Sequence, residues 1–350
     1  MKTICTGTYA IAVTILTMLP LYAGEVGFAR LMIADPIGGE MQVSLWYPTD
    51  TQAERIKLGP YAFHAARDAE PQGGQFGLVV ISHGTEGSDL GHRNLAISLA
   101  QAGIVVAAPL HPRDDFRDNS GVGGRVVMEG RPRQLSAVVD ALLTHPLWAK
   151  RVDAARIGAF GFSLGGYTVL AALGMQPDIM RIMDHCGGPS GDPFCEVVGG
   201  YDNERRRQVV QTYPAPMDEL GDARICAASL ADPVAVPFSD AALGGTTARY
   251  VQVWMLENEN VLMASAHGGR VAQVMDARLK DSGTTEITDE GAQHYSFLAP
   301  FPWRLKWTLA RVLTTDAAGF DRDAFREAFA EKVTSFFVHS LMACQVDRSK

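Results

Sequence analysis

Between Arg156 and Tyr167 the chain reads Arg-Ile-Gly-Ala-Phe-Gly-Phe-Ser-Leu-Gly-Gly-Tyr, an order that few folds accommodate. An apolar run, Ile157 to Phe160, leads into Gly161-Phe162-Ser163-Leu164-Gly165, and a helical apolar pattern follows from Tyr167 to Leu173. Strand, sharp turn and helix in that order make G-x-S-x-G a nucleophile elbow. The turn strains the serine backbone, so the positions two before and two after it must be nearly free of side chain. Gly161 and Gly165 meet that demand. The Ser163 hydroxyl then stands at a helix N-terminus, where the dipole favours developing negative charge. The same pentapeptide also occurs as an ordinary Gly/Ser turn. The rest of the chain must therefore supply a base, an acid and an oxyanion-binding loop.

Around the elbow, strand and helix signals alternate. Phe28–Ile33 and Met41–Tyr47 form a hairpin across Asp35–Gly39, and residues 49–76 read as an irregular polar connection. Leu78–Ile81 and Ile104–Ala108 are continuous apolar runs, the mark of strands buried on both faces of a parallel sheet. Asn94–Ala102 and residues 131–148 carry helical spacing. After the elbow come strands Ile225–Leu230 and Tyr250–Leu256, helix Val271–Leu279, a short strand Thr285–Thr288 and a closing helix, Asp323–Leu341. This alternation predicts an α/β domain with a mostly parallel, doubly wound sheet flanked by helices. Residues 175–224, rich in Gly and Pro, break the pattern and read as a lid inserted after the nucleophile helix.

In such sheets the functional groups gather at the C-terminal ends of the strands. On a Ser-then-acid-then-His order, the base must lie downstream of both the elbow and the acid. His294, in the loop after the last strand, fits; His267 comes one position too early and His339 sits inside the closing helix. Two strand ends offer the acid: Asp232 on one, Glu257 and Glu259 on the next. Asp232 is followed by proline and an apolar run, a setting for a partly buried carboxylate, whereas Glu257-Asn258-Glu259-Asn260 reads as a solvated turn. Oxyanion donors are expected from the amides of Leu164, just after the serine, and Thr85, in Ser82-His83-Gly84-Thr85 after the first central strand. His83 and His111 read as braces for the loops that carry them.

Several spaced motifs carry a family resemblance: the elbow, the Ser-His-Gly loop, Leu45-Trp46-Tyr47-Pro48 and His111-Pro112. Over roughly residues 26 to 300 the chain resembles the secreted bacterial dienelactone-hydrolase-like esterases related to platelet-activating factor acetylhydrolase. The resemblance implies an α/β-hydrolase fold, carboxylic-ester hydrolysis and no cofactor. In the acetylhydrolase branch the acid lies in an Asp-x-x-x-x-Pro pattern; Asp232 to Pro237 matches it, which favours Asp232. True dienelactone hydrolases use a cysteine nucleophile, so their substrate does not carry over to a chain with Ser163.

Residues 1–23 are expected to be a secretory signal peptide: a positive start at Met1-Lys2, an apolar stretch from Ile11 to Leu19, and cleavage after Ala23. Residues 24–350 then form a single hydrolase domain in a periplasmic or extracellular setting, without a stable membrane anchor. Four cysteines remain in an oxidising compartment. Cys186 and Cys195 bracket a short loop suited to a bridge, which leaves Cys226 for Cys344; no zinc-like spacing appears. A net charge of -8 without clustered Lys and Arg argues against nucleic acid. The sequence thus points to a serine esterase acting on a small, short-acyl ester. The alternatives are a peptidase or amidase on the same fold, and a binding protein that retains the fold without the chemistry.

Overall fold

The computed structural model describes residues 24–197, 217, 219–256, 261–279, 286–287 and 291–348. The signal peptide expected at 1–23 lies outside them. Among the described residues ten strands form one sheet: β1 Glu25–Ala34, β2 Glu40–Thr49, β3 Glu54–Leu58, β4 Tyr61–Arg67, β5 Phe76–Ser82, β6 Ile104–Pro109, β7 Val152–Phe162, β8 Ile225–Ala231, β9 Tyr250–Trp254 and β10 Glu286–Ile287. Their order across the sheet is β10-β9-β8-β7-β5-β6-β2-β1-β4-β3. From β10 to β6 every pairing is parallel, and β2 joins β6 antiparallel.

The principal helices are α1 Arg93–Gln101, α2 Gly130–Thr144, α3 Leu164–Ala172, α4 Met180–Cys186, α5 Gly268–Leu279 and α6 Arg322–Arg348. They cover both faces of the sheet, which is why β5 reads as an unbroken apolar run. Leu78 and Val80 face a core shared with α2, α3 and α5, while Val79 and Ile81 face one shared with α1 and α6. On α6, Phe325, Phe329, Val333, Phe337 and Leu341 recur every four residues and make the stripe that closes the second core. Gly158 on β7 lies under Phe337, whose ring would meet a Cβ there at 2.7 Å.

The hairpin forms as expected, with Phe28 opposite Trp46. The connection read as irregular between 49 and 76 instead holds β3 and β4, which extend the sheet. β3 is the edge strand and β4 lies between it and β1; only Phe63, Ala65 and Ala66 are buried in the two, and charged residues interrupt the rest, so no apolar run announces them. Within the expected lid, the described residues include α4 and a disulfide, Cys186–Cys195. Ile179, Ile182 and Phe194 pack into the same core as α3 and β8. The charged run Asn203–Gln211 lies outside the described residues. A second disulfide joins Cys226 on β8 to Cys344 on α6. Among the described residues no helix is long and apolar enough to cross a membrane.

Candidate active site

Ser163 links β7 to α3 with φ 56° and ψ -119°, a conformation that strains any residue with a Cβ. Its neighbours explain the two glycines. A Cβ at Gly161 would lie 2.3 Å from Gly165 O, and one at Gly165 would lie 2.0 Å from Ser82 O. The turn is pinned from both sides. Ser163 N–H donates to Ala231 O at 3.0 Å, and Ser163 O accepts from Gly166 N–H at 2.8 Å and Val234 N–H at 3.0 Å. The last of these bonds ties the elbow to the loop that follows β8.

That loop begins with Asp232, almost fully buried at a φ of 43°, its N–H donating to Trp254 O at 2.8 Å. His294 opens the 3₁₀ turn His294–Phe297, whose start is fixed by a capping box between Gln293 and Ser296. His294 Nδ1 and Asp232 Oδ2 meet at 2.5 Å, both side chains about 2% exposed. A carboxylate accepting from Nδ1 leaves the lone pair on Nε2, the tautomer a general base needs. The Phe162 ring lies 4.8 Å from the imidazole and Tyr295 5.0 Å, so packing as well as hydrogen bonding orients it. Phe162 was not singled out from the sequence, although its place inside the pentapeptide is the signal for it. The acid alternatives Glu257 and Glu259 lie outside the described residues.

Leu164 is the first residue of α3 and Thr85 lies exposed in the loop after β5. Neither amide donates to another group among the described residues. Below Thr85, the two loop histidines are locked. His83 Nδ1 donates to Gly84 O at 2.7 Å, and His83 Nε2 accepts from His111 N–H at 3.2 Å. His111 Nδ1 donates to Gln134 Oε1 at 2.7 Å, and its Nε2 accepts from Ser82 Oγ at 2.9 Å. Burial, with the Arg131 charge beside them, pushes both imidazoles well below the usual histidine range and keeps them neutral.

The other downstream histidines go elsewhere. His339 is on the exposed side of α6, donating from Nδ1 to Ser335 O at 2.7 Å. His267 is buried against Asp192, its Nε2 at 3.0 Å from Oδ2, and accepts Ala235 N–H at 3.1 Å on Nδ1. Among the described residues no group of three or more His, Cys, Asp or Glu is arranged to hold a metal ion.

A sequence model of the prolyl oligopeptidase family matches residues 129–192, the stretch from before α2 through the elbow to Asp192. A comparison with curated protein sequences finds no match. Among solved structures, a ferulic acid esterase from Streptomyces cinnamoneus aligns with a TM-score of 0.58 at 18% identity, over 93% of each chain. A puromycin-hydrolyzing peptidase from Mycobacterium tuberculosis aligns with a TM-score of 0.53 at 14% identity, over 90% of this chain but only 39% of its own. A parallel central sheet with antiparallel β2, helices on both faces and a serine elbow after β7, together with the structural likeness to these neighbours, give this chain the α/β-hydrolase fold.

Proposed function

We propose that the protein is a periplasmic or secreted serine hydrolase that cleaves carboxylic esters through an acyl-enzyme. The observation that carries this reading is the buried His294–Asp232 pair, 2.5 Å apart, in loops beside a serine held at positive φ. Ser163 Oγ attacks the ester carbonyl while His294 Nε2 takes its proton. Asp232 holds the imidazole tautomer and stabilises the imidazolium, and the amides of Thr85 and Leu164 stabilise the oxyanion. His294 returns the proton to the leaving alcohol, and water then repeats the sequence on the acyl-enzyme. In this reading residues 175–224 form a lid that shapes acyl specificity. The two disulfides and the apolar N-terminal stretch support an exported protein.

A second reading, amide cleavage, is favoured by the prolyl oligopeptidase match over residues 129–192. The test is turnover of p-nitrophenyl esters from acetyl to long-chain acyl, a feruloyl ester and aminoacyl p-nitroanilides, with Ser163→Ala alongside. Ester turnover should exceed anilide turnover, and Ser163→Ala should lower kcat/KM at least about 1,000-fold with the fold intact. Anilide preference transfers the assignment to a peptidase. A wild-type protein that fluorophosphonates do not label is a binding protein on the same fold.

A further inference from the structure

Beneath the Thr85 loop lies an ion pair that the chemistry above does not use. Arg131, in the first turn of α2, is 1% exposed, and Asp114, in the loop after β6, is 0% exposed. Arg131 Nη1 donates to Asp114 Oδ2 at 2.5 Å. Its other terminal nitrogen donates to Ser82 Oγ at 3.1 Å and to His83 O. The second oxygen of Asp114 accepts from Glu86 N–H at 2.8 Å.

These contacts bracket one stretch of backbone. His83 O is held by the arginine and Glu86 N–H by the aspartate; Gly84 and Thr85 lie between. Glu86 itself sits at φ 55°, a conformation that persists only where its surroundings over-determine it. The turn closes with Gly87 N–H donating to Gly84 O at 3.1 Å, and a Cβ at Gly87 would come within 2.7 Å of His83 Nδ1. The loop cannot relax toward His83 on one side or lose Glu86 on the other while the pair stands.

A buried ion pair gains little net stability, because desolvating two charges offsets most of their attraction. What it supplies is geometry: a planar guanidinium and a carboxylate fix four atoms relative to one another. We propose that the buried Arg131–Asp114 pair is a positioning device for the Thr85 amide, setting the oxyanion-binding loop against the elbow during ester cleavage. The proposal rests on the serine-hydrolase reading and on Thr85 as an oxyanion donor. The pair touches no reacting atom. It acts on the transition state through the loop, so its loss lowers kcat and leaves substrate binding in place.

The experiment uses the full-length enzyme carrying Arg131→Lys, Asp114→Asn, or the charge-neutral double change Arg131→Met with Asp114→Leu. The double variant removes both charges together and so leaves neither buried alone. Active serines are counted by end-point labelling with a fluorophosphonate. Per labelled serine, kcat for p-nitrophenyl acetate should fall about 10- to 100-fold, within the range for weakening one oxyanion donor, with KM changed less than twofold. Affinity for a trifluoromethyl ketone, whose adduct puts an oxyanion in the same place, should fall in step with kcat. The pH dependence of kcat should keep its midpoint, since His294 and Asp232 lie on other loops. Unchanged kcat per labelled serine in all variants that fold, whatever their melting temperature, overturns the clamp alone. A wild-type enzyme that neither labels at Ser163 nor turns over the ester overturns the serine-hydrolase reading, and the clamp with it.

Discussion

Asp232 is a non-glycine residue at a φ of 43°, a region that Asp and Asn enter more readily than other side chains. Asp232→Asn therefore keeps both shape and backbone and changes only what His294 Nδ1 meets. An amide that presents N–H to Nδ1 selects the wrong tautomer, so kcat should drop about 100- to 10,000-fold with little change in melting temperature. Glu259→Gln, measured in parallel, should leave kcat within about twofold; a collapse there instead makes Glu259 the acid. The elbow was readable from the sequence because its demand is local: a Cβ at Gly161 or Gly165 would collide with backbone a few residues away or on the adjoining loop. Arg131 and Asp114 were not readable. Their partners stand 17 to 49 positions apart in the chain, and only the sheet order brings the loops after β5 and β6 over the start of α2.

Among the elements, the loop closed by Cys186 and Cys195 owes its position to one carboxylate. Asp192 Oδ2 accepts from His185 at 2.9 Å and His267 at 3.0 Å, and Oδ1 accepts Phe194 N–H and Met263 N–H, each at 3.0 Å. Burial alone raises the pKa of such a group, but the two histidine bonds outweigh it and hold Asp192 well below the usual carboxylate range. Its contribution to stability is therefore present above about pH 4 and lost as pH falls further. Asp192→Ala should cost about 2–3 kcal/mol in urea unfolding by stranding these donors. A loss below about 0.5 kcal/mol would show that the loop is held by its disulfide and by Phe194 packing alone. The sequence reading caught the bridge but not the anchor, since Asp192 looks like one more polar residue in a Gly/Pro-rich turn. It also missed β3 and β4, whose alternating charge resembles a surface loop until an edge of the sheet is there to pair with.

For the molecule as a whole, acid is the expected weakness. His83, His92, His111 and His267 are buried, and burial lowers all four; His92 falls to about 4. In the unfolded chain each titrates near pH 6.5. Below that value the unfolded state holds more protons than the native one, so stability falls as pH falls. Each histidine adds about 1.4 kcal/mol per pH unit between its two pKa values, for His92 between about 6.5 and 4. Unfolding midpoints in urea should thus decline steeply from pH 7 to pH 5. A flat profile across that interval means that these imidazoles are protonated in the native state as well.

The Cys226–Cys344 bridge sets an order of events for the growing chain. β8 lies between β7 and β9 and ends at Asp232, so it carries the acid of the proposed triad. Its covalent partner lies 118 residues later, on α6. During synthesis, β5, β6 and β7 are able to pair as they emerge, but β8 gains its covalent tie only after α6 has followed it out. A chain halted short of Cys344 would thus hold its serine elbow while the strand ending at Asp232 still lacked its covalent tie to α6.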